Sequence, residues 1–270
     1  MKLGIGSYAY AWAVGIPGFP PSTPMTALTL VRRAAELGVR VVQFADNCPL
    51  HALSGEEQAI LRRVAGELGI SIEVGTRGIA PDHIRQYVAL AQAFGSPILR
   101  VVVDTATHHP THDELIATIR SLLPLFEATG VALAIENHDR FKVKTLVAIL
   151  YAVNSPLVGI CLDTVNSLGA GEGAEVVVTT LAPYVLNLHL KDYVIRRHPT
   201  MLGFEVQGVP AGTGMLDVAW LLDVLRGHGR DPNAILELWP PPEADVEATI
   251  RKEDAWVVAS IERLRRLIPT

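Results

Sequence analysis

Eight short apolar runs alternate with eight amphipathic runs along these 270 residues, and that alternation narrows the possible folds sharply. The strand-like runs are 3–7, 41–46, 70–76, 98–104, 132–137, 158–163, 186–191 and 234–239. The helix-like runs are 26–37, 55–68, 81–94, 113–128, 143–153, 173–181, 216–227 and 245–267. Their ends carry stop and start signals. Ser54 with Glu57 three residues on predicts a capping box. Gly38, Gly69, Gly95 and Gly130 each follow a last helical turn, where a left-handed residue is needed. No composition break or long polar linker divides the chain. Eight βα units in one domain over residues 1–270 predict an α/β fold, a (β/α)8 TIM barrel. An open doubly wound sheet is the alternative, but eight regular units in this length favour closure. The one long interruption, 193–214, reads as a functional or mobile loop.

Composition narrows the partners. Apolar residues make up 49% of the chain and the net charge is −5, with acids and bases interspersed. No basic stripe is present, so nucleic acid is not an expected partner. Two cysteines, Cys48 and Cys161, cannot build a disulfide framework and suit a reducing compartment. The chain starts directly in a strand-like run with no signal-peptide pattern. No apolar run approaches the ~20 residues of a membrane span. The expectation is a cytoplasmic protein with a small-molecule ligand, no membrane partner, and a homo-oligomer left open.

Side chains alternate faces along a strand. In the seventh run Asn187, His189 and Lys191 share one face, while Leu186, Leu188 and Leu190 share the other. The leucines should meet helices, so the polar set should point into the barrel. The same rule places Glu73, Gly75 and Arg77 together on the third run, and Arg100, Val102 and Asp104 on the fourth. Glu73 and Arg100 are expected to pair low in the barrel. Barrel enzymes keep their chemistry at the C-terminal ends of the strands. There the fifth to eighth runs offer Glu136, Asp163, His189 and Glu237.

Three carboxylates and an imidazole form a hard, oxygen-rich donor set. It suits one divalent metal ion, manganese, cobalt or magnesium, better than thiolate-type zinc, although zinc stays possible. An internal ion-pair network is the competing explanation, with Lys191, Arg77 and Arg100 as counter-charges. Lys191, two residues past His189, is a candidate general acid or a counter-charge. His138, two past Glu136, could bind substrate or be structural. Arg77 could grip a carboxylate or phosphate. Tyr8 and Trp12 could wall the pocket or be rim aromatics. His51, His108, His109 and His112 read as solvated loop histidines. Gly208, Gly212 and Gly214 suggest a loop flexible enough to approach a ligand, without matching a nucleotide fingerprint.

Ala-Ile-Glu-Asn-His (134–138), Gly-Ile-Cys-Leu-Asp-Thr-Val-Asn (159–166), Leu-His-Leu-Lys-Asp (188–192) and Leu-Glu-Leu (236–238) together resemble the xylose isomerase-like barrel superfamily, of sugar phosphate isomerase/epimerase type. The resemblance spans essentially the whole chain. It implies a divalent metal on Glu136, Asp163, His189 and Glu237. In the epimerases of that family, the glutamates matching Glu136 and Glu237 also move protons on opposite faces of an enediolate. Many of them carry histidine where this chain has Asn166, which alters the substrate contacts expected there. A narrower resemblance, to 3-oxo-isoapionate decarboxylases, rests on Gly-Ile-Gly-Ser-Tyr-Ala-Tyr-Ala-Trp (4–12), Glu-Val-Gly-Thr-Arg-Gly (73–78) and Pro-Ala-Gly-Thr-Gly-Met-Leu-Asp (210–217). The expected activity is isomerisation or epimerisation of a small keto sugar or keto sugar acid. Decarboxylation of a 3-oxo sugar acid is the alternative, and a non-catalytic sugar-binding barrel the third reading. DNA-repair barrels of endonuclease IV type need more zinc ligands and a DNA-binding surface, and the acidic balance argues against them.

Overall fold

The computed structural model of the chain describes residues 1–268. Its strands are β1 (Leu3–Gly6), β2 (Val41–Phe44), β3 (Ser71–Arg77), β4 (Ile98–Val102), β5 (Ala132–Glu136), β6 (Val158–Asp163), β7 (Val185–Leu190), β8 (Asp192–Arg197), β9 (Phe204–Val209) and β10 (Ala234–Leu236). Eight of them close a parallel barrel in the order β1-β10-β7-β6-β5-β4-β3-β2, and β8 and β9 form a separate antiparallel pair. The α-helices are α1 (Ala11–Val14), α2 (Ala27–Glu36), α3 (Gly55–Glu67), α4 (Pro81–Phe94), α5 (His112–Thr129), α6 (Val143–Val153), α7 (Ala174–Leu181), α8 (Val218–Gly227) and α9 (Val246–Leu264), with short 3-10 turns at Ser7–Tyr10, Leu50–Ala52, Asn166–Leu168 and Ala182–Tyr184. From α2 onward, one helix follows each barrel strand.

Local chemistry sets these boundaries. Ser54 and Glu57 cap α3 reciprocally, as do Thr111 and Glu114 at α5. Gly95 and Gly130 end their helices in the left-handed region, φ 68° and 71°. The outward faces of the strands form the apolar layer under the helices. Leu188 and Leu190 of β7 are buried there, and each contributes about 1.5–3 kcal/mol of apolar burial. No described helix is long and apolar enough to cross a membrane.

Three expectations are corrected. Residues 193–214 are not a structureless loop. Asp192↔Val209 through Arg197↔Phe204 pair in antiparallel register, so most of the segment is a hairpin. Alternating β-formers, Tyr-Val-Ile and Phe-Glu-Val, flank a Pro/Thr/Gly-containing tip, which is a hairpin pattern. The glycine segment after it is pinned rather than free. Asp192 is buried, and its carboxylate accepts five backbone N–H groups, from Tyr193, Gly212, Thr213, Gly214 and Leu216. A Cβ on Gly214 would lie 2.3 Å from Asp192 Oδ1, so that wrapping needs glycine. Finally, Glu73 and Arg100 do not pair. Arg100 reaches up to Glu136 and Asp46, while Glu73 is held by amides. Both point inward as the alternation required. However, Arg100 sits in register with Ala134 of β5 and Gly75 of β3, small neighbours that leave its long side chain room to climb.

Candidate active site

Parallel register brings the ends of β5, β6, β7 and β10 to one level: Glu136 pairs with Cys161, Asp163 with His189, and Ile235 with His189. Glu237 follows β10 by one residue and donates its backbone N–H to Leu190 O. Glu136, Asp163, His189 and Glu237 therefore converge in the barrel mouth, all buried. His189 Nδ1 lies 3.3 Å from Glu136 Oε2, 3.5 Å from Glu237 Oε1 and 3.8 Å from Asp163 Oδ2. The Lys191 ammonium stands over the same group, 2.8 Å from Asp163 Oδ2 and 2.9 Å from Glu237 Oε2.

The electrostatics follow from proximity. Burial alone would raise the Asp163 carboxyl, but Lys191 and His189 hold it well below the usual carboxylate range. Glu237 is lowered against the same burial by His189, Lys191 and Arg100. Lys191 is raised above the ordinary lysine value, because Asp163 and Glu237 outweigh its desolvation. His189 is raised by Glu237 and Glu136, again against burial. The Lys191 ammonium is thus held between the Asp163 and Glu237 carboxylates.

Glu136 is held differently from its neighbours. Its Oε2 accepts from Arg100 Nε, and its Oε1 accepts from Asn166 Nδ2 at 2.7 Å. Asp163 uses Oδ1 to accept from the backbone N–H groups of Val165 and Asn166, both at 2.8 Å, which turns Oδ2 toward the cluster. Asn137 fixes the β6 end by accepting from Asp163 N and donating to Asp163 O.

Do these residues fit a cation? His189 Nδ1, Asp163 Oδ2 and both Glu237 oxygens are buried without a hydrogen bond of proper geometry. One donor atom from each of Asp163, His189 and Glu237 lies within 4.8 Å of the others, and Glu136, Cys161 and His189 meet the same condition. Three carboxylates face two fixed cations, Arg100 and Lys191, and unpaired buried charge is expensive. Converging donor atoms that meet no partner but Lys191, and an excess of negative charge, fit a hard divalent ion.

Above the cluster lies a cavity of about 450 Å³, walled by Tyr8, Asn166, Lys191, Val206, Leu238 and Trp239. The hairpin thus reaches the site through Val206, and Gly208 passes so near Trp239 that a Cβ would come within 2.6 Å of its carbonyl. Tyr8 OH lies 3.2 Å from Asp46 Oδ2, and burial together with Asp46 pushes its pKa up to about 12, so it stays a hydroxyl. Trp12 is not on this cavity. It meets Phe19 edge-on and its Nε1 donates to Pro240 O at 3.3 Å. Arg77 and His138 line a neighbouring cleft of about 620 Å³ with Asp104, His109 and Arg140. Arg77 is tied to Asp46 at 3.0 Å and to the Asp104 carbonyl, and His138 pairs with Asp139.

Sequence reasoning missed the contributions of β2 and its following turn. Asp46 links Tyr8, Arg77 and Arg100. Gln43 lies below His189. The available signal was a lone amide in the otherwise apolar Val-Val-Gln-Phe strand.

Comparison with known proteins agrees with this geometry. The sequence profile described as xylose isomerase-like TIM barrel matches residues 31–267. The chain is 37% identical over 266 residues to the 3-oxo-isoapionate decarboxylase of Pectobacterium atrosepticum, covering 98% of this chain and 95% of that one. D-psicose 3-epimerase from Clostridium cellulolyticum H10, solved with D-tagatose, superposes with TM-score 0.74 at 16% identity, covering 100% of both chains. A xylose isomerase-like TIM barrel protein from Mycobacterium smegmatis, solved with magnesium, gives TM-score 0.70 at 16% identity over 96% of each chain. The two solved structures share the fold, and the likeness in sequence to the decarboxylase runs nearly end to end. A closed barrel whose last four strands deliver two glutamates, an aspartate and a histidine to one point, in a chain matched by that profile over most of its length, belongs to the xylose isomerase-like TIM-barrel family.

Proposed function

We propose that this chain is a metal-dependent decarboxylase of a 3-oxo sugar acid. The observation that carries this reading is the engagement of both Glu136 oxygens, by Arg100 and Asn166, beside a Lys191 ammonium that faces the cavity. Abstraction of a carbon-bound proton needs a free carboxylate base over that carbon. A decarboxylase needs none, only a later proton donor. The near-full-length likeness to a 3-oxo-isoapionate decarboxylase supports the same side.

Asp163, His189 and Glu237 would hold a divalent ion, with Glu136 beside it; manganese, cobalt and magnesium suit the donors best. When bound, the ion would supply Lewis-acid stabilisation of negative charge on the keto oxygen. The chain's own groups do the rest. Tyr8 and Asn166 contact the polyhydroxy part of the substrate, and Arg77 and His138 line the adjoining cleft. Leu238, Val206 and Trp239 keep water from the reacting carbon. The bond from that carbon to the carboxylate breaks, CO2 leaves, and the electron pair remains as an enolate. Lys191 Nζ gives its proton to the carbon and is reprotonated from solvent.

Epimerisation is the second reading, because Glu237 Oε1, unlike the Lys191-paired Oε2, has no hydrogen bond and could serve as a base. Turnover in D2O with CO2 trapping separates the two. A decarboxylase releases one CO2 per turnover and places deuterium where the carboxylate stood. Deuterium wash-in to a keto sugar without gas would overturn the proposal in favour of epimerisation. Absence of both signals across keto sugars and keto sugar acids would leave a binding role.

A further inference from the structure

Beneath the carboxylate cluster lies a second polar layer that the reaction does not use. Gln43 on β2 is buried, in register with Glu73 on β3. Its Nε2 donates to Glu73 Oε2 at 3.0 Å and to Asn187 Oδ1 at 2.9 Å. Its Oε1 lies 2.6 Å from His189 Nε2. Glu73 is itself fixed: Oε2 also accepts from Asn187 Nδ2 at 2.9 Å, and Oε1 accepts from Asn233 Nδ2 at 2.7 Å. With the Glu73 carboxyl ionised against the upward push of its burial, these bonds have one consistent direction. A carboxylate and an amide oxygen can only accept, so Gln43 must turn its NH2 toward them. Its carbonyl is then left for His189, and a carbonyl also only accepts, so the ring must carry its proton on Nε2. A ligating imidazole is neutral, the ion taking the place of any proton on Nδ1, and so has a single N–H. With that N–H at Nε2, Nδ1 is a bare lone pair, and Nδ1 is the atom facing Glu136, Asp163 and Glu237.

We propose that Gln43, held by Glu73, is the positioning residue that fixes His189 as its Nε2–H tautomer and so presents Nδ1 as a ligand. Flipping the Gln43 amide would put its carbonyl against two acceptors and lose both hydrogen bonds, so the orientation is locked from below. The alternative tautomer would place an N–H among the carboxylates, satisfying them internally and removing the nitrogen donor. The inference rests on the metal reading above, but its test separates the two.

The test uses the whole protein, with Mn²⁺ titration by calorimetry and ¹⁵N side-chain spectra of the metal-free form on the alkaline side of the imidazole titration. Wild type should show His189 protonated at Nε2. Gln43→Met should weaken Mn²⁺ binding by ~10- to 100-fold, the usual range for losing the outer partner of a ligating histidine. Its His189 signal should move toward the Nδ1–H form or a mixture. Glu73→Gln keeps an acceptor for Gln43 and should retain the wild-type tautomer, a rescue that packing alone would not give. Wild-type Mn²⁺ affinity in a folded Gln43→Met protein would overturn the inference, as would an Nδ1–H signal in wild type. The wild-type spectrum decides even if Gln43→Met does not fold. Failure of wild type to bind Mn²⁺ or Mg²⁺ would instead sink the metal reading, while the tautomer, read without metal, is decided separately.

Discussion

Two polar layers lie one above the other inside this barrel, and they are finished differently. In the lower one Gln43, Glu73, Asn187 and Asn233 share hydrogen bonds that leave no buried atom of theirs unpaired. In the upper one four buried polar atoms of His189, Asp163 and Glu237 make no hydrogen bond beyond the Lys191 ion pairs to Asp163 Oδ2 and Glu237 Oε2. A folded protein pairs nearly all its buried polar groups, so the upper layer is the exception. Satisfied networks rigidify, whereas unsatisfied convergent donors are poised for a ligand. The contrast teaches how the barrel divides labour: the closed layer orients, the open layer binds. His189 belongs to both, bonding downward through Nε2 and facing upward through Nδ1.

The sharpest break of that contrast is removal of the ligand the open layer is proposed to hold. Exhaustive chelation should abolish turnover and lower the melting temperature, and Mn²⁺ should restore both, since an ion bound only to the folded chain stabilises it. Full activity in a chelated, metal-free preparation would contradict the assignment. Next is Lys191→Met, which removes the proton carrier. Turnover should fall by on the order of a hundredfold or more, with Mn²⁺ content retained by elemental analysis. An undiminished rate would return Lys191 to the role of counter-charge. In the closed layer the loss should be of stability instead. Glu73→Leu strands three amide donors, each worth about 1–3 kcal/mol when left unpaired. A melting temperature roughly 10 °C lower is expected. An unchanged melting curve would mean the lower layer is not a closed network.

A smaller effect separates Glu136 from its neighbours. Asn166→Ala frees Glu136 Oε1 while leaving Arg100 on Oε2. If this engagement is what keeps Glu136 from acting as a base, slow deuterium exchange into a keto sugar should emerge in the variant, read by mass spectrometry. Equal exchange in both proteins would show that Asn166 does not restrain it.

How much of this was legible in the sequence depends on whether a property is local or shared. Strand alternation is local, and it placed Asn187, His189 and Lys191 inside and Leu188 and Leu190 outside correctly, but Leu186, expected with those leucines, packs instead on Ile98, Ala134 and Cys161 where the β6–β7 register shifts. The capping box at Ser54 and the stops at Gly95 and Gly130 are local too. Partner choice is shared between strands. Alternation showed that Arg100 points inward, but its pairing with Glu136 rather than Glu73 depends on shear and side-chain length across neighbouring strands. Asp192 was invisible for the same reason, because four of its five donors come from a loop some twenty residues on, folded back over it. Gln43 carries no charge and sits in no metal-ligand spacing, so only the closed barrel reveals its contact with His189.

Glu253 offers the mildest test of the contrast, since it is buried and hydrogen-bonded but has no cation. Lying on α9, it accepts from Trp12 N at 2.9 Å and Ala13 N at 3.0 Å. Burial pushes its carboxyl up to about 7, against the lowering effect of those two N–H groups. Asp163, equally buried but beside Lys191, moves the other way. Hydrogen bonds from neutral donors are thus weaker than an ammonium at keeping a buried carboxylate charged. The folded state holds the Glu253 proton to higher pH than an unfolded glutamate, whose pKa is about 4.3. Its contribution to stability is therefore full below about 4.3 and is lost as pH rises toward about 7. The slope is at most ~1.4 kcal/mol per pH unit. Melting temperatures measured across that interval should decline more steeply in wild type than in Glu253→Gln, which has no proton to lose. Parallel curves would mean that the two backbone donors alone hold Glu253 ionised, and that a cation is not what distinguishes the barrel's carboxylates.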